Sequence, residues 1–183
     1  MENMEFVEND LDDKELRELY TYIVRVSGVT LEEFVDFYNH FEDYDLLVDA
    51  YKGLIHSEQL SMDAIEDYRH DLEKYNLMEM AYKESIIAGG YLSIHDMKAN
   101  HVRKDLKKYG LMKMAYKECI INSGSLTMDN IESFRRDLEH YELISEAYEE
   151  MIRRHDITED NMEIVRQDLE KYNLISKVGP AIK

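Results

Sequence analysis

The side chains of this chain best suited to chemistry are seven histidines, one cysteine and fourteen tyrosines. Three histidines precede an aspartate, at His70-Asp71, His95-Asp96 and His155-Asp156. Such a pair on a helix is a way to hold a divalent metal that activates water, so a hydrolytic site around His70, His101 or His155 is one reading. His40, His56 and His140 complete the set, and no two histidines fall into the His-Glu-x-x-His spacing that places two imidazoles on one helix face. Asp156, Thr158 and Asp160 hint at a calcium loop. Its central glycine is missing, however, and Gln167 stands where the bidentate glutamate belongs. Cys119 has no neighbour in sequence that would lower its pKa convincingly, and it reads as a packing residue. No glycine-rich phosphate loop is present. These patterns predict a non-enzymatic protein with no catalytic residue, no metal site and no cofactor.

The aspartate of His70-Asp71 has a different explanation. It opens Asp71-Leu72-Glu73-Lys74-Tyr75-Asn76-Leu77, and that heptad returns at 105–111, 137–143 and 168–174, with a fainter copy at His40–Leu46. Each copy lies a similar distance after a hydroxyl residue, Thr30, Ser61, Ser93, Thr127 or Thr158. These are separated by 31, 32, 34 and 31 residues. Self-similarity at that period marks stacked supersecondary units. The hydroxyls suit helix N-caps, and an apolar residue before each cap suits a hydrophobic staple.

Each repeat reads as a helical hairpin. Its first helix carries an apolar face, such as Ile65, Tyr68, Leu72 and Tyr75 along Met62–Lys74. The third repeat has two extra residues, which predict a longer first helix or a local bulge. After each heptad tyrosine comes Asp45, Asn76, Gly110, Glu142 or Asn173. Aspartate, asparagine and glycine tolerate a left-handed corner, and Glu142 is the exception. The second helices carry Ala50-Tyr51, Ala81-Tyr82, Ala115-Tyr116 and Ala147-Tyr148. The tyrosines are expected in the core and not as a platform for bases. The predicted layout is one all-α domain over 1–183, an α-solenoid-like array of about ten helices. It has a lead helix at 10–26 capped by Asp10, hairpins at 30–57, 61–89, 93–123 and 127–155, a last helix at 158–173 and a tail at 174–183. Gly89-Gly90 reads as a helix stop. A homodimer formed through one end would cover the apolar face of the final repeat.

Charge is distributed unevenly. The net charge is −18, and residues 1–67 hold 19 acidic against four basic residues. This balance disfavours direct binding to nucleic acid or anionic lipid and favours a basic protein partner. The expected partner-binding carboxylates are Asp10, Asp12, Asp13, Glu32, Glu33, Asp36, Glu42, Asp43, Asp45 and Asp49. A secondary basic patch, Lys98, Arg103, Lys104, Lys107 and Lys108, lies in the 98–117 segment, the one stretch expected to meet nucleic acid directly. Carboxylates spaced along stacked helices can imitate a phosphate backbone. The sharpest functional expectation is therefore an inhibitor that mimics nucleic acid and blocks a nucleic-acid-binding enzyme, of anti-restriction or anti-CRISPR type. The alternative is a regulatory adaptor holding a peptide or protein on the concave face of the array. The lone cysteine, the absence of a signal-peptide pattern and the absence of a membrane-length apolar run predict a cytoplasmic protein.

The period is close to that of tetratricopeptide repeats, but their tryptophan, Leu-Gly pair and terminal proline are absent, so the likeness concerns stacked hairpins alone. The acidic, Tyr- and Lys-rich composition resembles that of many phage or mobile-element proteins of low-GC bacteria. That resemblance implies the cytoplasm of a bacterial host.

Overall fold

The recurring heptad ends one helix and starts the next, by the same hydrogen bonds in all five copies. In the second copy the Asn76 amide donates to the Glu73 carbonyl at 3.1 Å and the Leu77 amide to the Leu72 carbonyl at 2.7 Å. Those two bonds, with a left-handed residue between them, make the Schellman motif that satisfies the orphan carbonyls of a helix end. Asp45, Gly110, Glu142 and Asn173 repeat the bonding, and φ at the five corners lies between 57° and 69°. The longer bond of the motif joins two apolar residues five apart in sequence: Phe41 with Leu46, Leu72 with Leu77, Leu106 with Leu111, Leu138 with Leu143, and Leu169 with Leu174. All ten are buried. Burying that pair is what makes the chain turn back.

Glu142 is the one corner residue with no intrinsic taste for a left-handed backbone, and it adopts φ 58° all the same. Its strain is the usual cost of about 1 kcal/mol for a side chain there. Glu142→Gly should therefore raise stability by about 0.5–1 kcal/mol, and Gly110→Ala should lower it by a similar amount. No atom lies within 4 Å of a Cβ built at Gly110, so that second change is purely conformational. Thermal unfolding of the two variants checks both signs, and a destabilised Glu142→Gly would mean that the carboxylate has a role of its own.

The computed structural model describes residues 11–57, 60–88, 92–157 and 159–178. Among them are twelve α-helices and no strand. They are α1 (Asp13–Tyr22), α2 (Leu31–Asp43), α3 (Leu47–His56), α4 (Met62–Asp67), α5 (Arg69–Lys74), α6 (Met78–Ile87), α7 (Asn100–Lys108), α8 (Met112–Ala115), α9 (Ile131–His140), α10 (Ile144–Arg153), α11 (Glu159–Lys171) and α12 (Ile175–Val178). Wider π turns prolong α1 over Ile23–Ser27 and α8 over Tyr116–Asn122, and a 3₁₀ turn at Asp96–Lys98 precedes α7. The fold is all-helical, as the heptads predict, and its packing is that of paired helices within an array. Gly89-Gly90, Thr158 and the end of the tail from 179 fall outside the described residues.

The chain divides into two compact units, Met1–Ala88 and Gly89–Lys183. In the first, α2 packs on α3, which also meets the π turn of α1 and the following α6. Its core is aromatic. The Tyr20 ring meets Phe37, Phe41 and Tyr44, and Phe34 packs edge-on to Tyr68 at 5.4 Å and against Tyr51 at 4.6 Å. In the second unit α7 packs on α8, α9 on α10, and α12 on both α10 and α11. Cys119 is buried there, on the π turn, and burial pushes its thiol up to about 12, so it has little thiolate character near neutral pH.

Local details differ from the sequence expectation in four places. The lead helix is capped by Asp12, whose side chain accepts from the Glu15 amide in a capping box; Asp10 lies outside the described residues. The helix expected over Met62–Lys74 is interrupted at Tyr68 (φ −96°, ψ 11°), where the ring turns in against Phe34 and Tyr51. In the third repeat the extra residues become the 3₁₀ turn, and extended backbone at Ala99 separates it from α7. In the fourth, Thr127 does not cap through its hydroxyl. Its amide instead donates to Asn130 Oδ1 at 2.8 Å, while Asn130 ties back to the Ser125 carbonyl. Thr30 and Ser61 do cap, accepting from Glu33 and Ala64 amides at 3.2 Å.

Candidate functional site

The heptad aspartate does not face solvent as a free charge. Asp71 Oδ2 accepts from Tyr38 at 2.6 Å and from Tyr51 at 2.8 Å. Asp137 Oδ2 accepts from Arg103 Nη2 at 2.7 Å and from the Tyr116 hydroxyl. Asp168 Oδ2 accepts from Arg135 Nη2 and from Tyr148, both at 2.7 Å. In each case one hairpin supplies two donors, a second-helix tyrosine and an arginine or tyrosine of its first helix, and the next first helix supplies the acceptor. The rings of the second-helix tyrosines Tyr51, Tyr116 and Tyr148 are fully buried and only their hydroxyls reach the polar seam, while Tyr38 is half-buried.

The electrostatics follow from that geometry. Partial burial pushes the carboxyl of Asp71 up, but the two phenol hydrogen bonds outweigh it and hold it below the ordinary aspartate range. At Asp137 burial is likewise overcome by Tyr116 and Arg103, and at Asp168 the Arg135 hydrogen bond leads. Burial and the adjoining carboxylate raise the phenols of Tyr51, Tyr116 and Tyr148, so these remain protonated donors. Glu132 holds Arg135 from its other side, and Glu66 holds Arg69, which also reaches the Tyr82 hydroxyl at 3.3 Å. The faint first repeat has His40 in place of the aspartate, and Tyr20 stacks on its ring at 4.9 Å, nearly parallel.

The aspartate of each His-Asp dipeptide has a bonding partner of its own. Asp71 turns into the seam while His70 is exposed. Asp96 bonds the Ser93 hydroxyl and amide. Asp156 pairs with Arg154, and His155 occupies a left-handed position. Among the described residues no group of three His, Cys, Asp or Glu could hold a metal ion.

The expected partner-binding carboxylates of the first unit separate into two sets. Asp12 and Glu33 are spent in capping boxes, Asp13 accepts from the Tyr44 hydroxyl at 3.0 Å, and Asp49 pairs with Arg25 at 2.8 Å. Glu32, Asp36, Glu42, Asp43 and Asp45 are exposed, and among the described residues none of these five has an ion-pair partner. Glu32, Asp36, Asn39 and Asp43 follow the i, i+4, i+7, i+11 spacing of one stripe of α2, opposite the buried Phe34 and Phe41. Val35, 59% exposed, flanks it.

The basic segment separates as well. Arg103 belongs to the clamp, and Lys98 lies over the Phe134 ring at 5.5 Å. Lys104, Lys107 and Lys108 are exposed at i, i+3 and i+4 on α7, with the Lys108 ammonium over the Tyr109 ring.

Comparison with protein-family models, with curated proteins and with solved structures yields no match. Among the described residues no helix is long and apolar enough to cross a membrane.

Proposed function

We propose that this protein is a non-enzymatic binding module whose α2 stripe meets a basic surface, and that its target is the Lys/Arg-lined groove of a nucleic-acid-binding enzyme, which it inhibits by standing in for nucleic acid. The observation that carries the reading is the set Glu32, Asp36 and Asp43, aligned on one helix face, exposed and without ion-pair partners among the described residues. Carboxylates left unneutralised along a rigid rod attract cationic surfaces and repel nucleic acid itself. Structural bonds account for Asp12, Asp13, Glu33 and Asp49, which narrows the contact set to the outward residues.

The test is affinity capture from a bacterial lysate at low and high salt, followed by titration of the captured enzyme. Competition by nucleic acid is expected, with roughly a tenfold or larger loss of affinity across a few-fold rise in salt. The triple variant Glu32→Lys, Asp36→Lys, Asp43→Lys should abolish capture while leaving the helical signal intact. A partner that stays bound at high salt and ignores the triple variant would sink the mimic reading and favour an adaptor with apolar contacts.

A further inference from the structure

Counted from the first residue of each heptad, the positions four before, one before, two after and three after are exposed in all five copies. They are the outward row of each repeat's first helical segment, so their openness does not depend on where the chain stops. Three of the rows mix charge: Asp67 and Glu73 with Lys74, Arg136 with Glu139, and Glu170 with Lys171. Such rows neutralise one another, as where Lys171 Nζ lies 3.4 Å from Glu139 Oε1 of the row before. The first and third rows do not mix. On α2 the row is Asp36, Asn39, Glu42 and Asp43, with three carboxylates and no cation. On α7 the same positions hold His101, Lys104, Lys107 and Lys108, with three ammonium groups and no carboxylate. That helix lies in the 98–117 stretch, which carries seven basic residues and one acidic in a chain of net charge −18. Lys104 and Lys107 have no ion pair among the described residues, as Asp36, Glu42 and Asp43 have none.

We infer that the α2 row of one copy of this chain docks on the α7 row of a second copy. The warrant is that the two rows occupy equivalent positions of one repeat, so they present the same spacing with opposite sign. Nucleic acid would fit α7 alone and leave the α2 row unmatched, whereas a second copy matches both. Exposed charges more than about 8–10 Å apart are largely screened at physiological salt, so the facing rows outweigh the repulsion between two acidic chains. Each exposed pair contributes little, and the association is therefore weak and falls with salt. The contact is heterologous, which lets the mass grow past a dimer. The inference rests on the reading of α2 as a contact face and adds a regulation to it: self-association shields the acidic stripe, and a basic target must displace the second copy.

The test is the mass of the purified full chain in solution. Light scattering at low salt should show a weight-average mass that rises with concentration and returns to the monomer at high salt. The triple variant Asp36→Lys, Glu42→Lys, Asp43→Lys should weaken self-association at least about tenfold, and so should Lys104→Glu, Lys107→Glu, Lys108→Glu, since each sets like charge against like. A chain with all six changes reverses both rows and keeps the net charge of −18, and it should associate as the wild type does. That recovery separates matched rows from a general charge effect, and circular dichroism confirms that every variant folds. A wild-type monomer at every concentration overturns the inference. So does an association that either triple variant leaves unchanged, or a sixfold variant that stays monomeric. A duplex oligonucleotide that binds the three lysines more tightly than a second copy does would assign the α7 row to nucleic acid instead. The assay contains no target, so its failure is distinct from a failure of lysate capture.

Discussion

Asp137→Ala should lower the free energy of unfolding by about 2–3 kcal/mol, far more than an exposed acidic residue such as Asp36, whose removal should stay within about 0.5 kcal/mol. The reason is what remains behind. Arg103, only a quarter exposed, loses the carboxylate that neutralises it, and the Tyr116 hydroxyl, on a fully buried ring, loses its acceptor. Breaking a fully buried pair costs about 3–5 kcal/mol, and the 30% exposure of the Asp137 side chain lets water soften this. Arg103→Met alone should cost less, because the carboxylate it strands keeps the Tyr116 hydrogen bond and is the more exposed of the two partners, and the double variant should be no worse than Asp137→Ala. Urea unfolding of the four proteins gives the cycle. The same pair has a pH signature. The folded-state pKa of Asp137 is lowered, so its contribution is full above the unfolded value, near 4, and drains away as pH falls through the lower folded value. Wild-type and Asp137→Ala stabilities should converge as pH falls from about 5 towards 2, and a gap that persists there would show that the aspartate acts through packing.

The part of the fold that the sequence revealed is the part whose causes are local. Leucine at both ends of the heptad and a corner residue between them can be read in one window, because every bond of the Schellman motif lies within six residues. Even Glu142, whose type argues against the corner, takes it, since Leu138 and Leu143 must both be buried and the backbone yields. The heptad aspartate was legible as a repeated residue but not as a clamp. Its donors lie 20–21 and 33–34 residues away, about one repeat distant. A signal was present in the recurring position two before the first heptad residue, held by Tyr38 ahead of His40 and by Arg69, Arg103, Arg135 and Arg166 ahead of the aspartates. Counting charge missed it and placed Arg103 in a surface patch. Counting charge also cannot say which carboxylates are consumed by caps. Asp12, Glu33 and Asp49 carry the same formal charge as Asp36, and only hydrogen-bond partners set them apart. The interruptions at Tyr68 and Ala99 depend on ring packing and on where two surplus residues find room, which no single window contains.

Leu138→Ala should cost about 3–4 kcal/mol, a third or more of the stability of an ordinary domain. Leu138 is fully buried, its carbonyl accepts the Leu143 amide at 2.7 Å, and its neighbour Asp137 holds the seam to the preceding hairpin. Removing three carbons there leaves a cavity among elements that cannot collapse without breaking either the corner or the clamp, so the loss should sit in the upper part of the usual range. Leu143→Ala should cost about the same alone. The double variant should cost less than the sum, since the two leucines serve a single corner and the first substitution already loosens it. Hydrogen exchange locates the damage. Amides of α9 and α10 should lose protection first, while those of α2 and α3, in the other unit, should keep theirs until global unfolding. If instead Leu138→Ala cost under about 1 kcal/mol, the corner would be held by the backbone bonds and not by its leucines. The recurrence of leucine at both ends of the heptad would then need another cause.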